Sequence, residues 1–193
     1  MKRGIGLAAL HYSLVMPKGE PGDDFLRWIG GYYETYWSVN PEWTAHFDHL
    51  PRHAVTRGVR PFTIHDEWYY HMRFRDNMEG VTPILTAVPP DRTREGAEGP
   101  HSGNPAVRSR KGQPEHTAWA FDRPGGGRGF GFTGGHYHWG WANDDVRKLV
   151  LNAIAWTAGV EIPAGGIGSK TPTWEEQMAN QEGQAPEGFS RET

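Results

Sequence analysis

Gly127-Arg128-Gly129-Phe130-Gly131-Phe132-Thr133-Gly134-Gly135-His136-Tyr137-His138-Trp139, with Asn143 to Gly159 close behind it, is the stretch whose reading decides the fold. Arg128 to Thr133 is short and bounded by glycines, so it reads as a strand. Phe130 and Phe132 fall on one of its faces, Gly129 and Gly131 on the other. Asn143 to Gly159 reads as a helix. Asn143 can cap it, while Asp144 and Asp145 put negative charge at its positive end. Val146, Leu149, Val150, Ala153 and Ile154 recur at helical spacing and form one apolar stripe. Gly159 is a natural stop, and Pro163 follows it. The turn Gly134 to Trp139 therefore sits at the carboxyl end of a strand, where open α/β sheets bind ligands. Two roles stay open for His136 and His138: facing a ligand, or hydrogen-bonding loop backbone.

Working outward, Glu115 to Phe121 alternates as a strand and makes a hairpin with Arg128 to Thr133 through the tight turn Asp122 to Gly127. Val81 to Val88 reads as a strand despite Pro83. Ile5 to Leu10 reads as a buried parallel strand with His11 at its carboxyl end, placed much as His136 is. Asp23 or Asp24 can cap a helix through Phe25, Leu26, Trp28 and Ile29 that breaks at Gly30-Gly31. Tyr32, Tyr33, Tyr36 and Trp37 then form an aromatic patch, which core packing or a lid would explain. Trp43 to Phe47 alternates as a strand, and Pro61 confines Val59 to Ile64 to an edge. Asp91 to Pro114 is a long polar loop whose His101-Ser102-Gly103-Asn104-Pro105 could fold over a site. Beyond Pro163 the chain turns polar, with one short helix at Thr173 to Asn180 and a disordered remainder to Thr193. The organisation is one α/β domain over residues 1–163 and a polar, partly disordered tail over 164–193.

Composition narrows the function. With 193 residues and a net charge of −3, and with basic residues scattered, nothing argues for nucleic acid. There is no cysteine, which removes disulfides, thiolate metal sites and cysteine nucleophiles. The 26 Gly, 15 Pro and 9 Trp favour a loop-rich domain with aromatic surfaces of the kind that suit sugars. No apolar run approaches the roughly 20 residues of a membrane span. Met1 to Leu10 lacks a cleavage site and is not read as a signal peptide, so the expected location is cytoplasmic. Gly125 to Gly129 precedes a strand and lacks a Gly-Lys-Ser/Thr ending, so no nucleotide cofactor is expected.

The densest chemistry lies at Ile64-His65-Asp66-Glu67-Trp68-Tyr69-Tyr70-His71-Met72-Arg73-Phe74. Asp66 or Glu67 can act as general acid/base or as a hard ligand beside a histidine. The competing reading is a strand edge whose charges pair with Arg73 and Arg75. The His136/His138 and His46/His49 spacings suit zinc, and neither is diagnostic.

Taken in order, these pieces resemble the ThuA-like (trehalose-utilisation) family. The matching stretches are Gly4-Ile5-Gly6-Leu7-Ala8-Ala9-Leu10-His11, Ile29-Gly30-Gly31, His53-x-x-Thr56-x-Gly58 and Asp66-Glu67-x-Tyr69. Gly127-Arg128-Gly129-Phe130, Gly134-Gly135-His136 and Leu151-Asn152-Ala153-Ile154-Ala155-Trp156-x-Ala158-Gly159 complete the set, and the Trp/Tyr/His decoration resembles its planctomycete-type subgroup. The resemblance implies a flavodoxin-like, class I glutamine amidotransferase-like three-layer α/β sandwich. It implies a role in trehalose or keto-glycoside catabolism, and no amidotransfer, since the nucleophilic cysteine is absent. A full family member carries strands before the one matching Gly4 to Leu10, so the sheet is expected to lack its first strands.

The expected site follows. His11, Glu67 and His136 are the catalytic acid/base candidates. Asp66, Tyr69, Trp37, His138 and Trp139 are the substrate-binding candidates. A divalent metal on His11, Glu67 and His136 is a variant, with His65 and His138 also in motif positions. The expected partner is a small-molecule sugar, with neither nucleic acid nor membrane, and self-association stays open. A non-catalytic carbohydrate-binding or assembly domain, or an inactive fragment, is the alternative.

Overall fold

A computed structural model describes residues 4–179 of the chain. The strands are β1 (Leu7–Leu10), β2 (Gly31–Tyr32), β3 (Glu42–Phe47), β4 (Phe62–Glu67), β5 (Arg73–Phe74), β6 (Val81–Ala87), β7 (Glu115–Asp122) and β8 (Arg128–Phe132). The helices are α1 (Glu20–Trp28), α2 (Pro105–Arg108), α3 (Asp144–Thr157) and α4 (Trp174–Met178). The central sheet runs β1-β8-β7-β6; β1 is parallel to β8, and the other pairings are antiparallel. β2 pairs with β5, and β3 with β4, in two small antiparallel ribbons.

Strand alternation builds a core on each face of this sheet. Ala118, Ala120, Phe130 and Phe132 join Leu149 and Ala153 of α3 in one cluster, to which the β3–β4 ribbon adds Trp43 and Phe47. Ala9, Trp119 and Phe121 face the other way and meet Ile29, with Phe25 and Trp28 of α1 packed against them. The expected three-layer α/β sandwich is the result. Gly131 is what lets Trp119 lie flat on the sheet: a Cβ there would come within 2.2 Å of the indole ring. The Trp119 indole N–H is satisfied by the Ile29 carbonyl at 2.7 Å.

α3 forms as its sequence dictates. The Asn143 side chain accepts from the Asp145 and Val146 N–H groups. At the other end Gly159 adopts φ +81°. The Gly159 N–H donates to the Trp156 carbonyl and the Val160 N–H to the Ala155 carbonyl, a Schellman closure. The short helix expected near Thr173 is α4, capped by Thr173.

Four expectations shift. β1 is parallel as expected, yet among the described residues it pairs with β8 alone. It is therefore a half-buried edge strand rather than a buried one, with Ile5 49% exposed. α1 starts at Glu20 rather than after Asp23 or Asp24, because Pro21 tolerates the first turn, where its missing N–H has no partner anyway. The strand placed at Val59 to Ile64 lies at Phe62–Glu67, beginning only after Pro61. Within Asp91 to Pro114, a 3₁₀ turn at Asp91–Arg94 and α2 interrupt the expected loop. Fully buried Arg94 anchors it through Glu115 at 3.0 Å and the Gln113 carbonyl at 2.6 Å. Residues 164–179 include Ile167, whose N–H donates to the Asn152 side chain at 2.8 Å; the tail expected at 180–193 lies outside the described residues. No helix among the described residues is long and apolar enough to cross a membrane.

Candidate functional site

The parallel pairing of β1 with β8 places their carboxyl ends side by side, with Leu10 in register with Phe132. The next residue on each strand is therefore His11 on one and Thr133 on the other. His11 takes φ +49°, a left-handed conformation rare outside glycine and costly enough to mark a site where the chain is held for a purpose. Its Nδ1 lies 2.9 Å from the Thr133 carbonyl oxygen. A carbonyl can only accept, so Nδ1 carries a proton, and in the neutral ring Nε2 presents its lone pair outward. Thr133 is itself fully buried, its hydroxyl donating to the Tyr69 carbonyl at 3.0 Å.

Glu67 ends β4 and brings its carboxylate to the same point. Oε1 accepts from the Asn40 side chain at 2.9 Å. Oε2 lies 3.3 Å from His11 Nε2 and 3.1 Å from His136 Nδ1. His136 Nδ1 is in turn 3.3 Å from His11 Nε2. Three donor atoms from three distant segments thus form a near-equilateral triangle. The His11 and Glu67 side chains are 17% and 16% exposed and that of His136 is 43%, so the triangle opens to solvent on the His136 side. The Tyr69 hydroxyl approaches His11 Nε2 at 3.0 Å. Burial, with the Glu67 charge adding to it, raises the Tyr69 hydroxyl well above the usual tyrosine range, so it stays a proton donor.

Asp66 does different work from its neighbour, because adjacent strand residues point to opposite faces. It is 3% exposed. Oδ1 accepts the N–H groups of Glu67 (2.8 Å), His136 (3.1 Å) and Tyr137 (3.3 Å), and Oδ2 that of Gly135 (2.7 Å). One buried carboxylate thus ties the Gly-Gly-His turn to the end of β4. Gly135 enables the turn with φ +94°.

His11, Glu67, His136, Tyr69 and Asp66 therefore come together. Trp139 stacks on Tyr137 at 4.6 Å, and Tyr137 lies over His65 at 6.0 Å, a ladder of rings beside His136. Burial pushes the Tyr137 hydroxyl up to about 12, with a hydrogen bond to Glu42 adding to it. His138 is exposed and outside the triangle, and His65 bonds Thr44 at 3.1 Å instead. Trp37 also lies outside it: its ring stacks on His71 at 4.4 Å and carries the Arg73 guanidinium at 3.5 Å. A sugar stacking there would have to displace one of these groups. Arg73 pairs with Glu34, not with the Asp66-Glu67 carboxylates, and Arg75 with Glu79.

Two contributors, Asn40 and Thr133, escape sequence reading, and two others, Tyr33 and His101, read in the sequence only as parts of an aromatic patch and a loop. Asn40 and the Thr133 carbonyl orient Glu67 and His11. Tyr33 packs edge-on against Tyr69 at 5.1 Å, and His101 reaches the Tyr33 hydroxyl at 2.9 Å, so the His101 segment does fold toward the site. Only the position of Thr133 just before Gly134-Gly135-His136 could have drawn attention to it; nothing in the spacing marks Asn40. The cleft at the other end of β1 and β8, lined by Ile5, Gly6, Asp122, Arg123 and Thr157, holds no imidazole.

The family model for ThuA, trehalose utilisation, matches residues 1–157. Comparison with curated proteins gave no match. Among solved structures, the chain is similar to the crystal structure of a ThuA-like protein from Bacteroides uniformis ATCC 8492, with a TM-score of 0.57 and 17% identity. The similarity covers 86% of this chain and 63% of that one, so this chain spans less than two thirds of its length. At that identity it speaks for the fold.

Proposed function

The chain belongs to the ThuA, trehalose utilisation, family, and from that premise we propose that it is an enzyme of trehalose or keto-glycoside breakdown whose reactive centre is the His11–Glu67–His136 triangle. Family membership carries a carbohydrate-related role in general. The convergence of those three atoms within 3.1–3.3 Å of one another at the strand ends, open on one side, supports the finer reading. The triangle accepts a proton from the substrate, next to a sugar ketone or in elimination of a glycosidic oxygen, and Tyr69 returns one. Asp66 holds the His136 turn in place. Trp139, supported by Tyr137, offers a sugar its stacking face, and His138 stands beside it as a further contact. Amidotransfer is excluded, since the chain has no cysteine.

The test is turnover of a panel of glucosides and 3-keto-glucosides. His136→Ala and Glu67→Gln are each expected to lower it by roughly 100-fold or more, the usual yield of a positioned acid or base. Full activity in both variants overturns the assignment. The ring ladder favours a second reading, carbohydrate binding without chemistry. That reading predicts sugar binding that Glu67→Gln leaves unchanged and Trp139→Ala weakens.

A further inference from the structure

We propose that His11 Nε2, Glu67 Oε2 and His136 Nδ1 are the ligands of a divalent transition-metal cation, with the remaining coordination positions open toward solvent. The proposal deepens the reading above and rests on it for the importance of this cluster; with the three lone pairs on the ion, the substrate's proton would pass to a water held there rather than to the triangle itself, and the test reads the metal.

The first argument is charge. The Thr133 carbonyl fixes a proton on His11 Nδ1, so in the neutral ring Nε2 turns a lone pair toward the Glu67 carboxylate only 3.3 Å away. Two lone pairs at that distance repel unless a proton or a cation lies between them, and a cation can serve all three corners at once, whereas the one proton of the Tyr69 hydroxyl, 3.0 Å from Nε2, can serve a single corner. His136 Nδ1 adds a third donor atom at 3.1 and 3.3 Å from the other two. The second argument is size. An ion with bonds of about 2.0–2.1 Å to tetrahedral ligands holds them roughly 3.3 Å apart, which is the edge observed here. The third is support from behind. Metal-binding imidazoles present one nitrogen while the other donates to a carbonyl or carboxylate, and His11 does this to Thr133. Glu67 is likewise held by Asn40 on Oε1, leaving Oε2 for the cluster. His136 is aimed through its own N–H, held by Asp66. Among the described residues these are the three His, Asp or Glu side chains whose ligand atoms converge in this way.

Two imidazoles and one carboxylate suit zinc, iron, cobalt or nickel, whereas magnesium and calcium prefer oxygen. Three protein ligands leave room for water or for a sugar oxygen, as in catalytic rather than structural sites. Such an ion would polarise a sugar carbonyl or activate a bound water, and the Tyr69 hydroxyl would stand beside it.

The experiment uses the full chain, free of any affinity tag, stripped with chelator and dialysed against Zn²⁺, Co²⁺ or Mg²⁺. Elemental analysis should give one Zn²⁺ or Co²⁺ per chain and no Mg²⁺. The Co²⁺ form should show the intense visible absorption of a low-coordinate site. His136→Ala, at the exposed corner, and Glu67→Gln, nearly isosteric, should each weaken Zn²⁺ binding by roughly 100-fold or more, and Asn40→Ala by about tenfold. Failure of the wild-type chain to hold stoichiometric Zn²⁺ or Co²⁺ overturns the proposal. So does binding that neither His136→Ala nor Glu67→Gln weakens, since the ion then sits elsewhere. If no metal binds but both variants lose turnover, the proton-transfer reading stands without the ion. If metal binds as expected but no sugar in the panel is turned over, the metal site stands and the carbohydrate chemistry falls.

Discussion

Asp66→Asn removes almost no volume and changes one atom, yet it should disable the site. In the native protein the carboxylate accepts four backbone N–H groups, three on Oδ1 and one on Oδ2. An asparagine can keep its oxygen toward the first three. Its NH₂ then meets the Gly135 N–H, donor against donor, in a place only 3% exposed. A hydrogen bond to a charged group contributes about 1.5–3 kcal/mol, and a buried N–H left unpaired costs about 1–3 kcal/mol. The three surviving bonds also lose their charge assistance. Opening of the 134–137 turn relieves part of this, so a net loss of about 3 kcal/mol is expected. With a urea slope of about 2 kcal/mol/M, the unfolding midpoint should fall by about 1.5 M at unchanged slope. Because the same bonds aim His136, sugar turnover and Zn²⁺ affinity should fall by about 10–100-fold even at temperatures where the variant is fully folded. A midpoint within about 0.25 M of wild type (about 0.5 kcal/mol at that slope), together with unimpaired turnover and Zn²⁺ binding, would refute the idea that Asp66 holds the turn.

Two further perturbations test the scaffold. Burial lowers His71 from 6.5 to about 4, against the opposing pull of Glu115, and lowers His53 and His116 as well. The unfolded chain therefore binds protons near pH 6.5 that the folded chain refuses until about pH 4. Stability should be full above about pH 6.5 and fall as pH drops toward 4, with His71 alone accounting for up to about 3 kcal/mol. Urea melts across that range should show the loss, and His71→Asn, which tolerates the φ of +57° at this position, should flatten it; an unchanged pH profile would be the contrary result. Arg94→Ala leaves a void where a fully buried guanidinium met Glu115, which keeps Arg110 at 2.8 Å and the more distant His71 at 4.0 Å. A loss of about 3 kcal/mol is expected in the same melts, and a loss under 1 kcal/mol would mean that Arg94 is not an anchor of the 91–114 connection.

Much of this protein is written locally in its sequence. Asn143, the Val146–Ile154 stripe and Gly159 determine α3, because a cap, a period and a left-handed stop act within a few residues of one another. The glycine–phenylalanine alternation of β8 determines which face carries the core. His11 and His136 were legible as site residues for a related reason: each directly follows or closely trails a strand, and strand ends are where such sheets open. The edge position of β1 was not legible in its own residues, since a four-residue apolar run reads alike at an edge and in a sheet interior. Nor were the partners that give the histidines their chemistry. His136 meets His11 across 125 residues of chain, Asp66 holds the His136 N–H across 70, and Asn40 orients Glu67 across 27. Those contacts depend on where the β3–β4 ribbon lands against the end of the central sheet. That landing is decided by the packing of Trp43, Phe47 and Trp68 on Phe132 and its neighbours, a property of the assembled core that no local spacing encodes.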